Sequence, residues 1–175
     1  MNSEFAIRDA AIEDAPAIAR VNYLTWLHAY RGIVPDSELD SLNMQSLTEQ
    51  WRQNLNAAHS RDGCLVAIVR DDLIAYSRFY PSEDSDDDPH RVVTIGSMYV
   101  DPKSQGKGIG RKLMGEILAA AKTHGYTEAT LHVLAGNERA RKFYEYLGWE
   151  ADLNVVIGRS GDQTVPKMRY RKSPL

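Results

Sequence analysis

A segment with three glycines in five positions carries the clearest chemical signal in this sequence. Residues 101–114 read DPKSQGKGIGRKLM and lead from an apolar segment into a helical pattern. Glycine at the start of a helix is costly unless the backbone needs its freedom. A helix N-terminus offers unpaired N–H groups and partial positive charge, which attract phosphate, and Lys107, Arg111 and Lys112 add cationic charge. We interpret 105–111 as an anion-binding loop; a tight turn beside solvated lysines is the alternative.

Spacing argues against two familiar phosphate motifs. Gly106, Gly108 and Gly110 give G-x-G-x-G, whereas the dinucleotide motif needs G-x-G-x-x-G and the P-loop needs G-x-x-x-x-G-K-[ST]. A nucleotide-phosphate binder with another α/β fold is nevertheless kept as an alternative hypothesis.

A second candidate group lies near the C-terminus. Asn137 stands at the start of a predicted helix, where it fits an ordinary N-cap. In that helix Ala140, Phe143, Tyr144 and Leu147 recur at helical spacing. From the pattern alone, Tyr144 is a core residue.

Composition restricts the class of protein. The 175 residues are 43% hydrophobic and 26% charged, with a formal net charge of −3, which argues against a nucleic-acid binder with a broad basic face. The single cysteine, Cys64, lies in the apolar run CLVAIV and is interpreted as a core thiol rather than a nucleophile. With neither a secretory leader nor a membrane-length apolar run, we expect a cytoplasmic protein that does not bind membranes.

Hydrophobic periodicity predicts one mixed α/β domain without repeats or linkers. The order is one strand, two helices, three strands, a helix, a strand, a helix and a closing strand pair. The predicted strands cover 5–10, 64–69, 73–80, 92–100, 128–134 and a hairpin near 155–158 and 164–170, and the predicted helices cover 13–30, the region from 46 onward, the region from 110 to 124, and 137–149.

Local signals refine three of these elements. Asp14 is the expected N-cap of the first helix, and Ser46 with Glu49 forms a capping box for the second. Gly32 and Pro35 break the pattern between the two helices. The acidic run 83–90 predicts a solvated loop, with a cation-steering field or disorder as alternatives.

Both motifs together resemble the GNAT N-acetyltransferase superfamily. QGKGIG at 105–110 is similar to the family's Q/R-x-x-G-x-G/A acyl-CoA loop, and the preceding strand ends in MYVDP. LHVLAGNERARKFYEYLGW at 131–149 resembles the family's strand, asparagine, FY-bearing helix and final GF or GW. The match is clear over about 92–150, and 13–60 resembles the variable acceptor-side region. The resemblance implies a single domain over 1–175 with a mixed, mostly antiparallel central sheet flanked by helices.

The resemblance also implies acetyl-CoA as co-substrate and no metal. By match, the loop amides hold the pyrophosphate, the backbone of the preceding strand bonds the pantetheine arm and acetyl carbonyl, and the asparagine bonds the pantetheine. The residues assigned in this way are Met98, Tyr99, Val100, Gln105, Gly106, Lys107, Gly108, Ile109, Gly110, Arg111, Asn137 and Tyr144.

The implied reaction moves the acetyl group directly to an amine. Tyr144 matches the family tyrosine that protonates the leaving thiolate. A base must take a proton from the amine, because an alkyl ammonium cannot attack. Many relatives carry a glutamate in the strand before the loop, which this chain lacks, so the candidates are Asp36, Glu38, His132 or water alone. A structural role on its strand is equally open for His132.

The acceptor is expected to be a small molecule or peptide with an amine. Tyr30, Asp36 and Glu38 lie where family members shape the acceptor pocket, and their acids suit a cationic amine; an exposed linker is the alternative. The resemblance also allows a homodimer. A non-catalytic acyl-CoA-binding or sensing module on the same fold is the alternative function.

Overall fold

The computed structural model describes the backbone of residues 5–160 and 163–175, and their side chains outside 153–164. Within these ranges seven strands form one sheet flanked by helices. The strands are β1 (Ala6–Asp9), β2 (Gly63–Val69), β3 (Asp72–Pro81), β4 (Val92–Val100), β5 (Glu128–Leu134), β6 (Glu150–Ser160) and β7 (Gln163–Lys172). The helices are α1 (Ala15–Ala29), α2 (Asp36–Asp40), α3 (Met44–Asn56), α4 (Ile109–Thr123) and α5 (Glu138–Tyr146).

The sheet is mixed and mostly antiparallel, as predicted. Its strand order is β1-β2-β3-β4-β5-β7-β6. Only the β4–β5 pair among the described strands is parallel. A parallel pair needs a crossover connection, which α4 supplies here.

Alternating side chains divide the core into two clusters, one on each face of the sheet. On one face, α4 packs through Leu113 and Ile117 against strand residues such as Leu131. On the other face, α1 and α3 pack through Ile18 and Trp51 against the other side of β2 and β3. Burial of both apolar faces holds the helices in place on the sheet.

The centre of the sheet opens between β4 and β5. Their pairing stops at Thr94 and Thr130, although β4 continues to pair with β3 as far as Val100. A bulge places one extra residue, Gly96, in β4 at this point, and a Cβ there would overlap the ring of Tyr80. Bulges bend a strand locally. The second half of β4 therefore faces a gap instead of a neighbouring strand.

The helices between β1 and β2 differ from the prediction in detail. The predicted capping box at Ser46 is wrong: α3 begins at Met44, and the side chain of Asn43 accepts a hydrogen bond from Ser46 N. The interrupted region contains the short helix α2, which begins directly after Pro35. Asp14 precedes α1, but its carboxylate makes no capping bond because it binds Arg8 and the backbone of Ala11 instead.

The acidic run 83–90 is ordered by ion pairs, which the prediction of a solvated loop did not foresee. Arg169 of β7, only 3% exposed, contacts Asp84, Asp86 and Asp152 at 3.3, 2.6 and 2.7 Å. Arg171 contacts Asp87 at 2.7 Å. These arginines come from the far end of the chain, so the local pattern contained no sign of them.

Two further expectations concern the core and the membrane. Cys64 is half-buried against the α1–α3 cluster, and burial raises the pKa of its thiol to about 12, so the thiol stays protonated. This agrees with a core thiol. In the part of the chain that the structure describes, no helix is both long and apolar enough to cross a bilayer.

Candidate active site

A cleft of about 650 Å³ lies where β4 and β5 separate. Its wall combines α1, which covers one face of the sheet, with α5, which packs on the opposite face. A ligand can therefore meet side chains from both faces. The volume falls in the range typical of ligand sites. From the predicted set, the cleft brings together Tyr30, Met98, Tyr99, Val100, Gln105, Gly106, Gly108, Ile109, Gly110, Arg111, Asn137 and Tyr144.

The glycine loop forms one end of the cleft. Gly106 and Gly108 have φ angles of 77° and 79°, the left-handed region that glycine enters without strain. Gly108 is the N-cap of α4, and Lys112 N donates to its carbonyl at 3.1 Å to close the first turn. The amides of the intervening residues have no partner within the helix. They form a cradle that fits a phosphate group.

Two side chains hold this loop against the rest of the fold. The Asp101 carboxylate accepts from Lys103 N at 2.9 Å and pairs with Arg20 of α1 at 3.1 Å. The Gln105 amide donates to Val100 O at 3.0 Å. The loop is thus fixed to both α1 and the end of β4 before any ligand arrives.

Helix α5 supplies Asn137 and Tyr144. The Asn137 Oδ1 caps the helix by accepting from Ala140 N at 3.2 Å, as the sequence predicts. Its Nδ2 group takes no part in that cap and can donate into the cleft. Tyr144 packs beside Trp149 and Tyr170 yet also lines the cleft, so it is both a core residue and a cleft residue.

Three aromatic side chains form a hydrogen-bonded group opposite α5. The Tyr99 hydroxyl lies 3.2 Å from the Tyr30 hydroxyl and accepts from Trp26 Nε1 at 3.2 Å. Burial raises the pKa of Tyr30, Tyr99 and Tyr144 above the usual tyrosine value. All three phenols remain protonated around neutral pH, so each can act as a hydrogen-bond donor.

Three residues of the predicted set do not line the cleft. Lys107 is exposed, and its Nζ donates to Lys103 O at 3.1 Å. Asp36 is exposed in an ion pair with Arg31 at 3.3 Å, and Glu38 belongs to the same short helix α2. Assigning a substrate contact to Asp36 or Glu38 therefore stays a prediction.

Sequence reasoning missed several cleft residues. Thr25 and His28 of α1 and Ser97 of β4 line it. The helical pattern gave no sign of which turn of α1 would reach the gap, because that depends on how α1 packs. Gly96 could have been noticed, since an isolated glycine within a strand pattern suggests a bulge.

His132, a candidate base, also lines the cleft. Among the described residues, no group of three or more His, Cys, Asp or Glu side chains is arranged to hold a metal ion. The site is thus built from backbone amides, tyrosine hydroxyls and the imidazoles of His28 and His132, of which His132 lies close to the carboxylate of Asp84.

Comparison with known proteins agrees with this geometry. A protein named "Probable N-acetyltransferase" from Mycobacterium tuberculosis is 28% identical over 174 residues, which cover 97% of this chain and 94% of that protein. Two solved structures share the fold at 20% identity. A PaiA N-acetyltransferase from Thermoplasma acidophilum in complex with coenzyme A has a TM-score of 0.71, over 95% of this chain and 98% of that one. A protein from Salmonella typhimurium solved with acetyl-CoA has a TM-score of 0.72, over 98% and 94%.

The family assignment follows from a match along the chain itself. Residues 23–149, which include both motifs and most of the cleft wall, match the Acetyltransferase (GNAT) family. This chain therefore belongs to the GNAT acetyltransferase family.

Proposed function

We propose that this protein transfers the acetyl group of acetyl-CoA directly to an amine of a small molecule or peptide. The observation that carries the proposal is the amide cradle of the glycine loop, which opens into a cleft that continues between β4 and β5. Backbone N–H groups at a helix N-terminus suit a diphosphate. The second half of β4 pairs with β3 but not with β5, so its peptide groups on the β5 side can bond the amides of a pantetheine arm.

The proposed roles follow the position of each residue along the cleft. The amides of the loop from Gln105 to Arg111 hold the diphosphate, and Asn137 bonds the pantetheine through Nδ2. A main-chain N–H within 98–100 stabilises the oxyanion that develops on the acetyl carbonyl. Tyr144 gives its proton to the departing thiolate. Burial raises the pKa of its phenol, so the phenol carries its proton at neutral pH.

The acceptor end is aromatic. Tyr30 and Tyr99 present hydroxyl groups there, and rings of this kind also attract an ammonium group. An alkylamine is accordingly the acceptor class that we propose. A cytoplasmic location and a homodimer stay predictions from the sequence and the family resemblance.

The proposal is tested in two steps. Calorimetry with CoA, ATP and NAD should show binding of CoA alone. Acetyl-CoA is then mixed with a panel of alkylamines, arylamines and peptides, and release of the free thiol is followed. Turnover with at least one amine supports the enzyme. Binding of CoA without turnover across the panel would favour a non-catalytic acyl-CoA-binding module, and preferential binding of ATP or NAD would overturn both.

A further inference from the structure

We propose that His132 is the general base that takes the proton from the acceptor amine, and that Asp84 is the residue that positions it. This deepens the proposed function and rests on it. The observation behind it is that His132 lines the cleft while its Nε2 lies 3.3 Å from Oδ2 of Asp84. Strand β4, which lines the same cleft, carries no carboxylate that could take this proton.

His132 lies on the face of the sheet opposite to that of its two chain neighbours. Its neighbours Leu131 and Val133 pack into the α4 cluster, so alternation places His132 on the opposite face, which α1 covers. Tyr144 packs against the α4 cluster. The base and the acid thus approach the cleft from opposite faces, which suits an amine that enters on one side while the thiolate leaves on the other.

The carboxylate of Asp84 is held firmly beside the ring. Asp84 Oδ2 also lies 3.3 Å from Nη1 of Arg169, which is 3% exposed and is held in turn by Asp86 and Asp152. Apart from Arg169, each of these groups comes from the acidic run 83–90 or from β6. Asp84 is therefore fixed beside the histidine, and one function of this ion-pair network is to hold the imidazole in place.

The imidazole ring of His132 is buried at one nitrogen and partly accessible elsewhere. Nε2 is buried and makes no hydrogen bond of good geometry, whereas 21% of the side chain is exposed. The accessible part of the ring therefore lies away from Nε2. If Nε2–H points toward Asp84, Nδ1 carries the lone pair that accepts the amine proton. Bonds of this kind in a ligand-free site commonly tighten when the substrate binds.

Burial is the main reason that the His132 ring is neutral. Burial lowers the pKa of His132 below the ordinary histidine value, and Arg169 and Lys167 of β7 lower it further. Asp84 and Asp87 of the acidic run act in the opposite direction. The net direction is downward, so the imidazole is unprotonated at pH 7 and able to accept a proton.

The proton balance of the reaction is complete without another reagent. A bound ammonium gives one proton to His132, which passes it to solvent. The nitrogen lone pair forms the C–N bond, and the C–S bond breaks. Tyr144 protonates the thiolate and is reprotonated by the second proton lost from the nitrogen. The sum is one amide, one CoA thiol and one released proton.

The kinetic test compares His132→Gln with His59→Gln, since His59 is exposed and outside the cleft. With the best alkylamine of the panel, His132→Gln should lower kcat/KM roughly 100-fold at pH 7, and the loss should shrink toward pH 10, where the amine is neutral unaided. In the wild-type protein, kcat/KM should fall at acidic pH as His132 becomes protonated. This fall should be absent from His132→Gln. A loss of equal size at every pH, or no loss, would overturn the proposal.

The positioning role of Asp84 has its own readout. Asp84→Asn should lower kcat with little change in KM and should lower the pKa of His132 further, measured by NMR titration of the ring. Glu83→Gln removes an exposed charge from the same loop and should change neither. An unchanged pKa of His132 in Asp84→Asn would contradict the coupling.

Failure of this proposal can be told apart from failure of the proposed function. If CoA binds and an amine is acetylated, but His132→Gln keeps the wild-type pH profile, only the base is wrong. If no amine is acetylated, addition of acetyl-CoA should still shift the His132 ring signals and leave those of His59 in place. The absence of such a shift would remove His132 from the site.

Discussion

The end of the cleft that we propose for the phosphates is built mainly of backbone from one continuous segment, the second half of β4 and the glycine loop. The end that we propose for the acceptor is assembled from side chains of distant segments. At the first end, the φ angles of Gly106 and Gly108 and the start of α4 fix the amides. At the second, Tyr30 directly follows α1, while Tyr99 and His132 belong to β4 and β5, and each depends on a neighbour for its position.

This difference determines which substitutions each end of the cleft tolerates. A backbone site tolerates most side chains except where an added Cβ strains the turn, because the peptide groups are the same in every residue. A site made of side chains changes its preference when one residue is replaced. A replacement at the proposed acceptor end should therefore change acceptor preference while leaving the backbone of the glycine loop intact.

The largest loss of activity is expected on substitution of Tyr144, which lies between the two ends of the cleft. Tyr144→Phe should lower kcat by roughly 100- to 10,000-fold, the usual contribution of a general acid, while CoA affinity is unchanged. Burial raises the pKa of Tyr144, so ionisation of this residue should cause no loss of wild-type activity as pH rises to about 10. Stopped-flow or steady-state thiol release measures both.

Tyr170→Phe is the matched control. The ring of Tyr170 lies 6.3 Å from that of Tyr144, and its hydroxyl donates to Glu145 at 2.7 Å, outside the cleft. It should lower stability slightly and leave kcat as it is. If both variants lost activity equally, Tyr144 would be a packing residue only.

The next effect concerns the support of the acceptor end. Arg169→Leu should destabilise the protein by about 2–3 kcal/mol, somewhat less than a fully buried pair would, because Asp86 is 51% exposed. The exposed pair of Arg91 with Glu128 at 3.5 Å provides the control, since Arg91→Leu should cost less than about 1 kcal/mol. Urea unfolding measures both changes.

The same variant has a pH signature. The bond to Arg169 lowers the pKa of Asp86 to about 2, below an unfolded value of about 3.9. A group with a lowered folded pKa stabilises above its unfolded pKa, and that contribution is lost as pH falls through the folded value. The difference in the free energy of unfolding between wild type and Arg169→Leu should therefore decrease as the pH falls from about 4 to about 2. A constant gap would indicate lost packing alone.

The same contrast explains what the sequence could predict. Strands β4 and β5 have the predicted bounds, and the glycine loop lies in the cleft, because each depends on signals within a few residues. The ion pair of Arg169 with Asp86 joins residues that are 83 positions apart. The sequence around each of them contains no signal that predicts this contact. Asp84 beside His132 was missed for the same reason. Packing decided these contacts, and a single sequence does not display packing.

Gly108 allows a test of the end of the cleft that we propose for the phosphates. Gly108→Val should weaken CoA binding roughly 100-fold, about 2.7 kcal/mol, measured by calorimetry. No protein atom lies within 4 Å of a Cβ at this position, so its branches would occupy the space that the anion approaches. The left-handed φ of 79° adds strain of about 1–2 kcal/mol, so unfolding should be affected less than binding.

The control for this prediction is Gly115→Ala. Gly115 is exposed on α4, and a Cβ there would also meet no atom within 4 Å, but its backbone is helical. It should stabilise the protein by about 0.5–1 kcal/mol and leave CoA affinity unchanged. Equal losses of binding and stability in Gly108→Val would leave the loop with a folding role only.

The smallest predicted effect tests a local signal in the acceptor half. Helix α3 packs through Trp51 on the same face of the sheet as α1. At its start, the side chain of Asn43 accepts a hydrogen bond from Ser46 N at 3.0 Å. Asn43→Ala should therefore cost about 1 kcal/mol in urea unfolding. Ser46→Ala, at the position that the sequence suggested as the cap, should change stability by less than about 0.5 kcal/mol. A larger cost for Ser46→Ala would mean that α3 begins at the predicted capping box, and that the local pattern was a better guide in this half than the contrast with the phosphate end implies.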